Sequence, residues 1–433
     1  MMNIETPYQI DSKIITQILQ GIQEPDWLKE TRLKAWRLAS QLPLPKVEQT
    51  NIRGWNFTEF QPFKEEKPLV LKKLPERISS YLFDEQDGNI LVQKNSSVVY
   101  TKLQNELAEK GVIFTDLSSA CREHGNLVQK YLLTEAMKKD EHRLAALHAA
   151  FWNGGVFLYV PRRVEVKVPF QSLFWAEGKD VGIYPHILLV AEEQSQVELV
   201  VNYIGDQQVA LCNSVIEVFV GQNAHVRVAT INNMSKETVD VNYRRAIVKR
   251  DGKMEWIISD LSEGKVLSDN TTELREQGGS VEVKAIAVGV NEMRSNITSN
   301  VRHIGTYTES DIQARSVMMD EASSILNSIT KIERGASKSN GQQSGKVLML
   351  NPKARGDANP ILLIDENDVM AGHAASVGKI DPIQLYYLMS RGIKKEQAEK
   401  LIIFGFLQSV LSEIPSDSLR QNIIRVIEGK FTS

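Results

Sequence analysis

Two patterns of apolar spacing divide the chain. From Ser12 to Gln41, Ile14, Ile15, Ile18 and Leu19 are followed by Trp27, Leu28, Leu33, Trp36, Leu38 and Ala39, the spacing of a buried helical face. Pro43 and Pro45 stop that helix. Arg53 to Phe60 groups Trp55, Phe57 and Phe60, enough to pin an irregular segment against a larger body. The pieces NILVQK and SSVVYTKL read as short strands. Helical spacing returns briefly at Asn105 to Glu109 and again from Asn126 to Phe151, where MKKDEHRLAALHAAFW places apolar and charged residues on opposite faces.

After Asn153-Gly154-Gly155 the period changes to two. VFLYVPRRVEVKVPFQ, HILLVAEE, SQVELVVNYI, NSVIEVFVGQNAHVRVATIN, MEWIISD and SVEVKAIAV alternate in short runs between Gly, Asn, Asp and Gln turns, filling about Gly155 to Ile364. No helix recurs between these strands, which excludes a βαβ sheet and leaves stacked sandwiches, barrels or a solenoid. Both faces carry apolar residues in the run Val215 to Val220, so its strands are covered on more than one side. No fixed-length repeat is exact, and periodicity alone favours the solenoid only weakly.

Helices return at the end. Asp381 can cap a helix with Pro382 in its first turn, Gln384 sits at the capping-box offset, and Gly392 can close it in a left-handed turn. A longer helix is predicted from about Lys395 to Ser412, with Pro415-Ser416 before a final one through Val426. Leu385, Tyr386, Leu388 and Met389 form one apolar surface. Leu401, Ile402, Phe404, Phe406, Leu407 and Val410 cover most sides of the next helix, which demands burial in the body or by a partner. The predicted domains are 1–152, helical and irregular; 153–365, the β core; and 366–433, helical.

Composition narrows the function. The 433 residues are 42% hydrophobic, ample for a large core, and 51 basic against 54 acidic residues give a net charge of -3, no field for nucleic acid or an anionic membrane. The N-terminus lacks a secretion signal and no apolar run nears the roughly 20 residues of a membrane span, so a cytoplasmic protein is expected. Cys121 and Cys212 are too far apart in sequence for a CxxC site and read as buried thiols.

The order of several phrases resembles the SufB/SufD family of iron-sulfur cluster assembly proteins. These are TRLKAWRLASQLPLP, GVFLYVPRRVEVKVPFQ, YPHILLVAEEQSQVELVVNYIG, NSVIEVFVGQNAHVRVATI, HIGTYTESD and, most densely, DVMAGHAASVGKIDPIQLYYLMSRGI. The resemblance implies a mainly β protein, a right-handed parallel β-helix core flanked by N-terminal and C-terminal α-helical domains. It also implies pairing with SufB through the cores, binding of the SufC ATPase through the C-terminal helices, and a cytoplasmic scaffold without catalysis of its own. No tightly held cofactor is expected in the isolated chain; iron or an iron-sulfur cluster belongs to the assembled complex, and a self-dimer is an alternative form in isolation. Members of the SufD type often carry a cysteine two residues before a junction histidine; here the residues are Ala371, Gly372, His373 and Ala374. A SufB subunit is expected to carry sulfur-accepting cysteines in its core and junction, but no cysteine follows Cys212, which favours the SufD type over a SufB-like scaffold.

His373 is thus the candidate for the interface, for iron entry and as a metal ligand, set by the sequence in a turn just before the cap of a helix. Hydrogen bonding to backbone is its bland alternative. Leu385, Tyr386, Met389, Phe404 and Phe406 are candidates for partner docking or helical packing. His142 and His148, six apart, lie roughly 240° apart around a helix and form no pair on one face. His124 beside Cys121 is a weak metal signal, and His186, His225 and His303 read as structural. Lys338 to Val347 mimics a phosphate loop but has Val347 after Lys346 where a hydroxyl is required. A carbohydrate-active β-helix using Asp260, Glu263, Asp269, Asp311 or Asp320 would need two carboxylates close together. Arg162-Arg163 and RRAIVKRDGK are basic clusters of a size usual for solvated strand ends.

Overall fold

The computed structural model describes residues 12–21, 23–62, 66–71, 74–83, 88–414 and 416–431. Helices α1 (Ser12–Gly21) and α2 (Asp26–Gln41) take up the first apolar stripe, split by Pro25 at the α2 N-cap. Next come α3 (Glu76–Ser79), a hairpin of β1 (Asn89–Lys94) and β2 (Ser97–Lys102), α4 (Asn105–Glu109) and β3 (Ile113–Asp116). The helix expected from Asn126 to Phe151 is broken: α5 (Leu117–Glu123) and α6 (Gly125–Tyr131) are separated from α7 (Arg143–Phe151) by a loop. His142 caps α7, its Nδ1 accepting from the Ala145 amide at 3.1 Å.

The β region then coils. It opens with β4 (Gly155–Val160), β5 (Phe170–Ala176), β6 (Gly182–Ile183), β7 (His186–Ala191) and β8 (Gln196–Gly205). The middle turns contain β9 (Leu211–Val220), β10 (His225–Asn233), β11 (Val239–Val248), β12 (Lys253–Asp260), β13 (Lys265–Leu274) and β14 (Ser280–Gly289). The last turns contain β15 (Arg294–His303), β16 (Glu309–Met318), β17 (Ser323–Ile332), β18 (Asn340–Met349), β19 (Arg355–Ile364) and β20 (Met370–Lys379). Even-numbered strands from β8 to β20 stack in one sheet and odd-numbered strands from β7 to β19 in the other, each pair parallel. The parallel β-helix expected from the sequence is therefore the core, with helical flanks on both sides.

Its repeat escapes the eye because only the strands are constant. Lys253 faces Ser280, Ser280 faces Glu309 and Glu309 faces Asn340, steps of 27, 29 and 31 residues. What recurs is a corner. Gln194, Asn223, Asp251, Gly278, Tyr307 and Lys338 all have positive φ, and a strand of the even-numbered sheet begins two residues after each. Each also donates its amide to a carbonyl in the next turn, as Asn223 does to Arg250 at 2.9 Å and Asp251 to Gln277 at 3.0 Å. Stacked left-handed corners thus carry the backbone hydrogen bonding from turn to turn.

Alternate side chains fill the lumen. Ile216, Val218 and Val220 point inward with Trp256, Phe174 and Tyr203, whereas Val215 on the opposite face packs under the N-terminal helices with Leu28, Ala35 and Phe151. That double cover is why the run Val215 to Val220 is apolar on both faces. The N-terminal helices are locked by Arg32, fully buried, which donates to Glu24 at 2.8 Å and to the Trp152 carbonyl at 2.8 Å and lies 4.1 Å from the Trp152 ring centroid.

The C-terminal helices are α8 (Pro382–Ser390), α9 (Lys395–Leu411) and α10 (Asp417–Lys430). Asp381 caps α8 by accepting from Ile383 at 2.8 Å, and Gly392, at φ +88, follows it as the sequence predicts. Pro415, expected to separate the last two helices, lies outside the described residues; Ser416 caps α10, which continues past Val426 to Lys430. Ile403, Leu407, Val410, Ile423 and Ile427 bury against the even-numbered sheet, and Lys430 pairs with Glu263 at 2.7 Å.

Candidate functional site at the open end of the solenoid

His373 lies on β20, a departure from the sequence expectation. The segment Met370–Lys379, read as a turn opening the helical region, is the last strand of the even-numbered sheet, with His373 opposite Gln343. Ala, Gly and Ser give this segment little strand preference of its own, and pairing with β18 imposes the extended state. Helix begins only at Pro382.

This strand and β19 end the solenoid. β19 pairs only with β17 and β20 only with β18, so among the described residues each ten-residue strand leaves one edge unpaired. Such edges are usually blunted, and β19 carries Pro360, which suits an edge. β20 carries neither proline nor an acidic residue, and only Lys379 at its end is basic. His373, Met370 and Val377 are exposed on it, close in sequence to exposed Leu363 and Ile364 of β19. An asparagine ladder reaches the same end: Asn327 donates to Asn296 at 3.0 Å, and Asn359 of β19 to Asn327 at 3.1 Å.

Helix α8 continues the exposed surface. None of its residues is buried; Ile383 is 77% exposed and Tyr386 73%, with Tyr387 and Met389 also outward and Leu385 half-buried. Phe404 and Phe406 on α9 are half-buried against the cluster that joins the last helices to the solenoid. The docking candidates thus fall into two groups, with Tyr386 and Met389 presented outward and Phe404 and Phe406 turned toward the body.

Several other sequence candidates are accounted for by contacts. Lys338 to Val347 runs mostly in β18, between β16 and β20, and forms no phosphate loop. Asp260 and Asp269 accept from Arg244 and Arg245, while Arg162 pairs with Glu193 at 2.7 Å. His303 is buried between the hydroxyls of Thr308 and Ser310, both at 2.8 Å, and holds a corner of the core. Burial pushes the Cys121 thiol up to about 12 and that of Cys212 well above its usual value, so neither offers a thiolate near neutral pH. Among the described residues no three His, Cys, Asp or Glu side chains converge to hold a metal, so His373 belongs to no such group.

One cluster was missed by sequence reasoning. His148 of α7, His186 of β7 and Glu217 of β9 are fully buried in a row: His148 Nε2 lies 3.0 Å from His186 Nδ1, and His186 Nε2 lies 2.9 Å from Glu217 Oε2. Glu217 also accepts the Leu133 and Met137 amides at 2.9 and 3.1 Å, tying down the loop that breaks the expected helix. A charged residue inside the apolar run VIEVFV was the available signal.

Fold and site define a β-solenoid whose last two strands leave unpaired edges beside an exposed helix. Residues 174–406 match the SufBD core domain of SUF system FeS cluster assembly, and residues 84–172 match the SufBD protein N-terminal region. The chain is 45% identical over 435 residues to the iron-sulfur cluster assembly protein SufD of Bacillus subtilis, covering 99% of this chain and all of that one. It is 28% identical to iron-sulfur cluster assembly SufBD family proteins of Staphylococcus epidermidis and Staphylococcus haemolyticus, covering 94% of this chain and 90% of each. The chain belongs to the SufB/SufD family, and its likeness is to the SufD type. Among the described residues no helix is long and apolar enough to cross a membrane.

Proposed function

We propose that this chain is a cytoplasmic, non-catalytic scaffold subunit for iron-sulfur cluster assembly, pairing with SufB through the open end of its solenoid and carrying the SufC ATPase on the helices after Asp381. The observation that carries this reading is the coincidence, in a SufD-like chain, of two strand edges unpaired among the described residues with a helix that has no fully buried residue. An unpaired β20 offers backbone donors and acceptors to a neighbouring strand. Tyr386 and Met389 offer the kind of exposed apolar anchors that dominate interface energetics, whereas Leu385, Phe404 and Phe406 transmit load from α8 and α9 to the body. ATP-driven association of two SufC subunits would then pull on the helices and rearrange the seam at β20.

His373 contributes one imidazole at that seam, where iron arrives as cargo and the partner supplies further ligands. Co-purification of the chain with SufB and SufC, with native mass, iron and acid-labile sulfide read on one sample, tests the whole reading. A mixed complex is expected, and His373→Ala should leave it intact while lowering iron and sulfide by about tenfold, as for loss of a ligand-shell contact. A species containing only copies of this chain, with SufB and SufC present, would overturn the scaffold reading. Undiminished iron and sulfide in the variant would overturn the role of His373.

A further inference from the structure

The row His148, His186, Glu217 has a proton inventory that its geometry fixes. His148 Nδ1 lies 3.2 Å from the Asn213 backbone carbonyl, which can only accept, so Nδ1 carries the hydrogen. Nε2 of a neutral His148 is then an acceptor, and the proton in the 3.0 Å contact must sit on His186 Nδ1. That leaves His186 Nε2 as an acceptor facing a carboxyl oxygen at 2.9 Å, a contact that requires one more proton between them. Without it, a bare carboxylate would face a ring lone pair with both groups fully buried.

We propose that Glu217 is a buried neutral carboxylic acid, and that seating the N-terminal helices on the solenoid takes up one proton at the Glu217–His186 contact. The chain of donors runs one way, from Glu217 Oε2 to His186, from His186 to His148, and from His148 to Asn213. It joins α7 to β7 and β9, and the Leu133 and Met137 amides attach the intervening loop to the same carboxyl group.

The surroundings leave this proton in place. Arg32 of α2 faces both rings but is neutralised by Glu24 at 2.8 Å. Arg245 of β11 acts on Glu217 as a cation but is paired with Asp269 at 2.6 Å and Glu141 at 3.9 Å. Tyr184 and Trp152 close the sides with rings 6.0 and 6.3 Å from His148 and His186, and the Tyr184 hydroxyl is committed to the Phe57 carbonyl. Burial accordingly holds Glu217 protonated up to about pH 8 and keeps both histidines neutral far below their usual range.

The sign follows from linkage. Glu217 is raised from 4.5 to about 8, so its contribution is full below pH 4.5 and is lost as pH rises toward 8. The two histidines are lowered from 6.5, so theirs is present above 6.5 and lost as pH falls below it. Between about 6.5 and 8 the net term is one proton bound on folding, and the cluster's contribution peaks near the lower limit.

Urea unfolding of the full-length chain across pH 6.5 to 8 tests this, with Glu217→Gln as the neutral comparison. The folding equilibrium constant of the parent protein should fall about tenfold per pH unit relative to the variant. Equal slopes in the two proteins would overturn the proton uptake. Should the variant fail to fold, histidine ring ¹⁵N shifts of the parent protein at pH 7.5 decide. Neutral, Nδ1-protonated rings at His148 and His186 are expected; an imidazolium at His186 would overturn the neutral acid.

Discussion

The two ends of the solenoid solve the same problem in opposite ways. At the N-terminal end, β1 turns back against β2 in antiparallel fashion and β3 does the same against β4, interrupting the parallel stack. Helices α2 and α7 lie over the adjoining outer face, where Arg32, His148, His186 and Glu217 are buried and hydrogen-bonded to groups from several elements. At the C-terminal end, β19 and β20 continue the stack and stop, with no antiparallel strand among the described residues to close it. An exposed strand edge is a template for pairing, which is why the proposed association with SufB is placed at the end where β19 and β20 stop. If the proposed function holds, mutations at the closed end should act on folding and mutations at the open end on assembly.

Arg32→Ala should have the largest effect. It strands Glu24 and removes donors from the Ala150 and Trp152 carbonyls, all buried. Loss of one member of such a pair costs about 3–5 kcal/mol, read as a shift in the urea midpoint. Below that midpoint the variant should still capture SufB, because the open end is untouched. Equal losses of stability and capture would mean that the ends are not separable.

Val377→Lys tests the other end. Val377 is exposed on β20, so the charge should change the unfolding free energy by less than about 0.5 kcal/mol. A lysine on a pairing edge is a standard block to strand addition, and capture of SufB should weaken by about 2 kcal/mol, roughly 30-fold. Unchanged capture in a titration would remove β20 from the interface.

The same contrast marks what the chain alone disclosed. Period-two alternation with Gly, Asn and Asp turns fixed the β character, and the phrase resemblance supplied the solenoid. The corner residues Gln194, Asn223, Asp251, Gly278, Tyr307 and Lys338 share a conformation without sharing an identity, so unequal steps of 27 to 31 residues concealed the repeat. β20 was misread because its strand state comes from β18, a tertiary effect that local preference cannot register. Beyond the one charge at Glu217, the buried row left no local pattern because its partners are separated by 38 and 31 residues and meet across a helix and two strands. His148 was compared with His142, its neighbour in sequence, when its neighbour in space is His186.

The smallest expected effect separates two aromatic residues that looked alike as docking candidates. Phe404 is half-buried in the cluster joining α9 and α10 to the even-numbered sheet and meets Phe431 edge-on, the ring centroids 6.3 Å apart. Its replacement by alanine should cost about 1–2 kcal/mol of stability, part of the value for a fully buried phenylalanine because part of its surface is already wet. Tyr386, 73% exposed on a helix with no fully buried residue, should cost less than about 0.5 kcal/mol when replaced. Capture of SufC should rank them the other way, since an exposed tyrosine gives its area to a partner and a half-buried phenylalanine has already given much of its own to the fold. Paired urea and SufC-binding titrations on the two alanine variants therefore resolve the C-terminal helices into a docking face and a packing face, and matching profiles in both titrations would show that no such division exists.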